Sequence, residues 1–283
     1  MSDCQSCSSS SCGEGGTCPG QAKAAPDRRD VRRFVAVGSG KGGVGKSTTT
    51  ALLAIAMARR GLRVGILDAD VTGPSIPKLL GVRDPLVNTT GGMIPPASPK
   101  LDIRVMSVNL LLDDPSKPVV WRGPLIANLL KQFWDEVEWG PLDYLFIDLP
   151  PGTADAPLTV MQSLPLDGMV LVTSPQGLAE LIVEKACHMA RMLEVPLLGV
   201  VENMSFVRCP GCGQELDLFG PSHVEKLTKR FGMPLLGRFP VDPTLALLCD
   251  SGRVEDYGEA ERLEDLASAL EASLAGSPVK GAC

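Results

Sequence analysis

One stretch, "FVAVGSGKGGVGKSTTTALLAIA" at residues 34–56, constrains the fold more than any other part of the chain. An apolar run precedes a glycine-rich loop, and a helix-forming run follows it. Residues 40–47 match the phosphate-loop pattern G-x-x-x-x-G-K-[ST]. In such a loop the glycines let backbone N–H groups wrap a phosphate, and the positive end of the next helix faces the anion. The order strand, loop, helix therefore predicts an α/β nucleotide-binding fold.

From Val31 onward, short β-branched runs alternate with helical patterns, as in a parallel sheet built from βαβ units. The runs are unbroken apolar stretches, which is typical of strands covered on both faces. We therefore expect the α/β class, with a mostly parallel twisted sheet and helices on both faces. Predicted strands cover 34–38, 63–68, 103–108, 144–148, 168–174, 196–203 and 235–240. Predicted helices lie near 46–60, 124–136, 178–194, 222–231 and 259–274.

Composition divides the 283 residues into a Cys-rich flexible tail (1–30), one ATPase domain (31–275) and a short C-terminal tail (276–283). The net charge of −6 leaves no basic face for nucleic acid. The N-terminus has no apolar segment typical of a secretory signal, and the apolar run at 51–58 is too short to cross a bilayer. We expect a cytoplasmic protein without a membrane partner, whose nine cysteines are candidate metal ligands or reactive thiols rather than disulfides.

Within the loop, the lysine that closes the pattern, Lys46, is expected to reach the β- and γ-phosphates of ATP. The hydroxyl of Ser47 is expected to bind Mg²⁺. The predicted nucleotide-binding residues here are Gly40, Gly42, Gly43, Val44, Gly45, Lys46, Ser47 and Thr48.

Acidic residues follow two of the predicted strands. Asp68 and Asp70 lie at the end of one strand, where ligands sit in open α/β sheets. Asp148 ends another strand and is followed by Gly152, which is typical of the carboxylate that supports Mg²⁺ beside a phosphate loop. The alternative is that these carboxylates only cap helices or form turns.

A second lysine, Lys41, is not part of the phosphate-loop pattern. One interpretation is that it is only a solvent-exposed loop residue. However, "GKGGVGKS" resembles the deviant Walker A loop of the MinD/ParA/nitrogenase iron-protein class of P-loop ATPases. The resemblance implies a homodimer in which Lys41 reaches the partner's nucleotide and stabilises the charge that develops in phosphoryl transfer. Water would then be oriented by Asp70, our first choice, or by Asp68.

Several further stretches resemble the Mrp-type (Mrp/Nbp family) iron–sulfur cluster carrier ATPases. They include "DADVTGPSIPKLLG", "LDYLFIDLPPGTADAPLT" and "VPLLGVVENMSFVRCPGCG", and the resemblance spans about 31–255. It implies slow ATP hydrolysis coupled to binding a 4Fe–4S cluster and delivering it to apo iron–sulfur proteins. It also implies that Asn203, Pro240 and Asp242 bind the base, although a strand-end turn and a turn-forming Pro-x-Asp-Pro fit these residues equally well.

The motif "RCPGCG" places Cys209 and Cys212 on one tight turn. Zinc or an iron–sulfur cluster requires four thiolates, of which this core supplies two, and a second copy of the chain would supply the others. The family resemblance implies a 4Fe–4S cluster that bridges the two subunits here. A zinc knuckle and a dithiol redox pair remain alternatives.

The N-terminal tail carries four cysteines that could fold around a cluster or zinc, or remain without metal: Cys4, Cys7, Cys12 and Cys18. Eukaryotic relatives carry a four-cysteine motif there, but with different spacing. Cys187 lies in an apolar helical pattern and is expected in the core, whereas Cys249 and Cys283 suggest no role.

Two other functions compete with the carrier. A positioning switch of the MinD/ParA type would need a basic amphipathic segment for lipid, yet the C-terminal region is acidic. An ATP-dependent iron–sulfur reductase like the nitrogenase iron protein would have cluster cysteines apart in the sequence, rather than as C-x-x-C.

Overall fold

A computed structural model describes residues 30–70, 73, 75–90, 92–111, 129, 132–153 and 155–276, with residues 177–181 described by backbone alone. The four tail cysteines and Cys283 lie outside the described residues, as does most of the predicted helix at 124–136. Its described end, 132–136, is helical. The proposed division into a tail, a domain and a second tail stays a prediction.

A parallel sheet of seven strands forms the centre of the fold, in the order β11-β8-β7-β1-β6-β2-β5. Each predicted strand is present, which confirms the expected fold class. The seven strands are β1 (Val31–Ser39), β2 (Val64–Asp68), β5 (Arg104–Ser107), β6 (Leu142–Asp148), β7 (Gly168–Thr173), β8 (Leu197–Glu202) and β11 (Leu235–Arg238). Two small antiparallel hairpins that the sequence did not predict are β3 (Val87–Asn88) with β4 (Met93–Ile94), and β9 (Val207–Arg208) with β10 (Glu215–Leu216).

Seven helices have defined bounds, and they cover both faces of the sheet. They are α1 (Lys46–Arg59), α2 (Ile76–Leu80), α3 (Asp155–Ser163), α4 (Gly177–Met192), α5 (Val224–Phe231), α6 (Pro243–Asp250) and α7 (Ala260–Ala275). Helices α2, α3 and α6 were not predicted. Two short 3₁₀ segments lie at Val108–Leu111 and Val254–Asp256.

Two apolar cores result, because successive side chains of a strand point to opposite faces. In β1, Phe34 and Ala36 belong to the core that also contains residues of α3, α4 and α5, whereas Val35 and Val37 belong to the core that contains residues of α1 and α7. Helix α1 is buried from Thr49 to Met57, which explains its small and aliphatic composition. Among the described residues, no helix is both long enough and apolar enough to cross a membrane.

Parallel pairing brings the carboxyl ends of the central strands to one edge. Asp148 at the end of β6 is the register partner of both Val37 in β1 and Asp68 in β2. The phosphate loop leaves β1 at this same edge, so the fold assembles the predicted acidic residues beside it.

Candidate functional site: phosphate loop and cysteine hairpin

The phosphate loop turns through two left-handed glycines. Gly43 and Gly45 both have φ of +80°, a conformation that L-residues with a side chain rarely adopt. Gly40 meets α4 so closely that a Cβ there would lie 2.7 Å from the backbone of Ile182. Val44 is buried at 2% exposure. Glycine is thus required at Gly40 by packing and at the other two by backbone conformation.

Lys46 begins α1 and directs its ammonium toward the acidic strand ends. Its Nζ lies 2.8 Å from Asp148 Oδ2 and 3.6 Å from Asp70 Oδ2, and the lysine is only 6% exposed. A pocket of about 260 Å³ opens over these groups, lined among others by Ser39, Lys41, Gly42, Gly43, Gly45, Lys46, Ser47, Thr48 and Asp70. The structure therefore brings most of the predicted nucleotide residues to one cavity.

Ser47 and Asp148 form an oxygen pair at the floor of the loop. Ser47 Oγ donates to Asp148 Oδ2 at 2.6 Å, and Thr50 Oγ1 donates to Asp148 Oδ1 at 2.8 Å. A hydroxyl backed by a fixed carboxylate is the hard oxygen donor set that Mg²⁺ prefers, so these residues fit the ion. Thr50 was missed by sequence reasoning, although its spacing of three from Ser47 puts both on one helix face.

The two carboxylates that follow β2 differ in environment. Asp68 is fully buried and accepts hydrogen bonds from the N–H groups of Asp70, Ser75 and Ile76 and from the Ser107 hydroxyl, all at 3.1–3.2 Å. Burial, with the charge of Asp148 as a second cause, raises the pKa of Asp68 to about 8, against the opposing effect of Lys46. Asp68 thus anchors the segment before α2, whereas Asp70 lines the pocket.

Lys41 also lines the pocket and is half-buried. Its carbonyl accepts from Ser39 Oγ at 3.0 Å, and its ammonium donates to Gln176 Oε1 at the start of α4. The Lys41 ammonium is therefore engaged by a side chain of the same chain.

The residues expected beside the base make contacts of their own. Asn203 is 8% exposed, and its Nδ2 donates to the Val44 carbonyl at 3.0 Å. Asp242 caps α6 by accepting from Thr244 N at 2.8 Å and from Leu245 N at 3.3 Å. Pro240 is half-buried in the same segment. Asn203 thus supports the phosphate loop and Asp242 has the capping role named among the alternatives, while a role for all three at the base stays a prediction.

Cys209 and Cys212 lie at the tip of the β9–β10 hairpin. The turn is closed by Gly213 N donating to Cys209 O at 2.8 Å and by Cys209 N donating to Gln214 O at 2.9 Å, with Gly213 left-handed at φ +74°. The N–H groups of Cys212 and Gly211 that face the Cys209 sulfur hold the pKa of this thiol below its usual range. Such a turn favours the thiolate, which is the form that binds metal.

Two cysteine side chains are all that the hairpin offers as metal ligands. Across the described residues, no group of three or more His, Cys, Asp or Glu side chains is arranged to hold a metal ion. Cys187 and Cys249 are buried elsewhere, and burial raises the pKa of Cys187 to about 12, as expected of a core cysteine. Further ligands for a metal centre at the hairpin must therefore come from outside the described residues of this chain.

Comparison with known proteins identifies the class of this arrangement. The model of the NUBPL iron-transfer P-loop NTPase family matches residues 30–273. The chain belongs to this family. An iron-sulfur cluster carrier protein of Methanocaldococcus jannaschii is 45% identical over 234 residues, covering 82% of this chain and 80% of that protein. The cytosolic Fe-S cluster assembly factor CFD1 of Kluyveromyces lactis is 40% identical over 245 residues, covering 84% and 85%.

A solved structure of the same class confirms the fold of this iron-transfer P-loop NTPase. The nucleotide-binding protein of Archaeoglobus fulgidus in complex with ADP has 45% sequence identity, a TM-score of 0.74, and coverage of 82% of this chain and 90% of that one. The predicted family and functional class are thereby confirmed, and the role of each site residue stays a prediction.

Proposed function

We propose that this NTPase hydrolyses ATP slowly and carries a 4Fe–4S cluster, held between two copies of the chain, to apo iron–sulfur proteins in the cytoplasm. The observation that carries the proposal is the joint presence, on one chain, of a complete phosphate loop and a hairpin turn with two cysteines, Cys209 half-buried and Cys212 exposed. The relatives named as cluster carriers and as a cytosolic assembly factor support the cargo and the compartment.

At the nucleotide, Lys46 would neutralise phosphate charge, and Ser47 with Asp148 behind it would hold Mg²⁺. When bound, Mg²⁺ supplies further neutralisation of the phosphate oxygens. Asp70 is the better candidate for orienting water, because Asp68 is fully buried and its two oxygens already accept four hydrogen bonds. Lys41 would leave Gln176 and act on the nucleotide of the second copy.

At the hairpin, two chains would each contribute Cys209 and Cys212, which satisfies the four-thiolate requirement of a 4Fe–4S cluster. The lowered pKa of Cys209 supports this, because it favours the thiolate form that binds metal. A cluster shared in this way contains about two iron atoms per chain, whereas a complete cluster on each chain contains about four.

Anaerobic reconstitution of the full chain with iron and sulfide tests the proposal. The Cys209→Ser/Cys212→Ser variant should lose about two irons per chain and keep its ADP affinity, while Cys187→Ala, which removes a buried thiol, should keep the iron. Iron that stays bound to the double variant at the wild-type level would refute the hairpin as the site. The cargo would be assigned to the tail if the double variant keeps its iron and the iron is lost only when the tail cysteines are replaced, namely Cys4, Cys7, Cys12 and Cys18.

A further inference from the structure

One buried carboxylate fastens both ends of the segment that carries the cysteine hairpin. Glu202, the last residue of β8, is 1% exposed. Its Oε2 accepts from Ser205 Oγ at 2.6 Å, and its Oε1 accepts from Ser222 Oγ at 2.6 Å. Arg238 Nε pairs with the same carboxylate at 3.1 Å. Because Ser205 precedes β9 and Ser222 follows β10, Glu202 holds the hairpin segment at its entrance and its exit.

The next residue in the chain holds the phosphate loop. Asn203 donates from Nδ2 to the Val44 carbonyl at 3.0 Å, and its own N–H donates to Thr173 O at 2.8 Å. Its Nδ2 also lies against Gly45: a Cβ added to this glycine would be 2.1 Å from that nitrogen. Movement of the loop backbone at Val44 or Gly45 must therefore move Asn203.

Glu202 and Asn203 are adjacent in the chain, and the turn from Glu202 to Ser205 that contains them is fixed and strained. Ser205 N donates to Phe239 O at 2.8 Å, and Phe239 N donates to Glu202 O at 2.9 Å, so the turn is tied to the end of β11. Met204, between Asn203 and Ser205, adopts a left-handed φ of +57°. Left-handed non-glycine residues persist only where their surroundings impose them, and they are concentrated at functional sites and switches. Displacement of Asn203 is thus passed along a short, constrained path to Glu202.

The hairpin has no comparable anchor at its tip. Strands β9 and β10 pair with each other and with no other strand of the described chain. Cys212, Gly213 and the following residues are exposed. The position of the two thiols relative to the sheet is consequently set by the ends of the segment, where the two serines bind Glu202 and Val241 N donates to Phe206 O at 2.8 Å.

We propose that Glu202 is a positioning residue that couples the nucleotide loop to the cysteine pair: a change at Val44 moves Asn203, and Glu202 transmits the shift to the hairpin. The coupling is a property of the folded chain, and only its consequence for iron–sulfur cargo rests on the proposed function. Nucleotide binding would in this way alter how firmly Cys209 and Cys212 hold their metal.

Hydrogen–deuterium exchange of the full, metal-free chain, with and without saturating Mg·ADP, tests the link. In the wild type, Mg·ADP should change exchange of peptides covering 205–222 by at least about threefold, beside the direct effect on the loop at 40–48. The Ser205→Ala/Ser222→Ala variant should lose the hairpin response and keep its ADP affinity within about twofold, since neither serine lines the phosphate pocket. Threonine at both positions keeps the hydroxyls and should preserve the response.

A matched control is Ser163→Ala/Ser251→Ala, which removes two hydroxyls that bond to helix carbonyls away from the hairpin, at 2.7 and 2.8 Å. This control should respond as the wild type does. A double variant that fails to fold can be replaced by Ser222→Ala alone, in which Ser205 keeps its bond.

An unchanged hairpin response in the serine variant would overturn the proposal, as would a wild type whose loop responds to Mg·ADP while its hairpin does not. Because the measurement needs no iron, its outcome is separate from the reconstitution result. A chain that shows the response yet binds no cluster would contradict the carrier function and leave the coupling standing.

Discussion

Three glycines of the phosphate loop allow its steric requirements to be tested by one substitution, glycine to alanine, at three positions. Around Gly42 there is no atom within 4 Å of an added Cβ. Gly43 has equally open surroundings but a φ of +80°. Gly45 has the same φ, and its Cβ would lie 2.1 Å from Asn203 Nδ2. Alanine at Gly43 therefore adds the free-energy cost of a left-handed backbone, and alanine at Gly45 adds to that cost a steric clash with Asn203.

The expected free energies of unfolding follow from these differences. Gly42→Ala should be neutral or stabilising by up to about 1 kcal/mol, because alanine restricts the unfolded chain. Relative to it, Gly43→Ala should lose about 1–2 kcal/mol, the cost of a left-handed conformation with a Cβ. Gly45→Ala should lose about 0.5–1.5 kcal/mol more, because Asn203 must move and give up its hydrogen bond to Val44.

Urea unfolding of the nucleotide-free variants, followed by circular dichroism, measures the three values. In a double-mutant cycle, Asn203→Ala should lower the free energy of unfolding less in the Gly45→Ala protein than in the wild type. The reason is that removing the Asn203 side chain also removes the atom with which the added Cβ clashes. If Gly45→Ala is no less stable than Gly43→Ala, the contact with Asn203 does not constrain the loop. If Gly43→Ala equals Gly42→Ala, the left-handed backbone is not the cause.

Three other predictions concern side chains of the same region. Thr50→Val removes the hydroxyl that donates to Asp148, so calorimetric titration should show weaker Mg²⁺ dependence of ADP binding and thermal unfolding a loss of about 1 kcal/mol. Asp242→Ala removes the cap of α6 and should cost about 1 kcal/mol in urea unfolding, whereas Asp250→Ala at the opposite helix end should cost nothing. Because the folded chain raises the pKa of Asp68 to about 8, from about 4 in an unfolded chain, the native state keeps a proton that the unfolded state releases. Stability should therefore fall as pH rises from about 4 to 8, and urea midpoints at several pH values should fall less steeply for Asp68→Asn.

The central sheet was predictable from local pattern, whereas the shorter helices were not. Each main strand is an apolar run long enough to be recognised as a strand from the sequence, and α1 is predicted by the loop motif that precedes it. Helix α2 has only five residues, too few for a periodic pattern. Helix α6 does carry a start signal, Asp242 followed by Pro243, but the same dipeptide is typical of a turn.

The site was predictable where it depends on strand ends. Asp68 and Asp148 had to meet, because parallel strands deliver their carboxyl ends to one edge. The helical spacing of Thr50 from Ser47 indicated a shared face, whereas the role of Glu202 was not predictable, since it depends on partners brought near by the fold. Asn203 and Val44 are 159 residues apart in the sequence, and no local pattern indicates their hydrogen bond.

The nucleotide site and the cysteine hairpin differ in how many of their ligand groups a single chain supplies. The phosphate loop has its cation, hydroxyl and carboxylates together in one copy, so the affinity for ADP, which lacks the phosphate that is transferred, should not depend on protein concentration. The hairpin offers two thiolates and, among the described residues, no third ligand. Under the proposed function a shared cluster requires two chains, and its occupancy must fall on dilution while ADP binding does not. A cluster that survives dilution at constant iron per chain would require its remaining ligands to lie in the same copy.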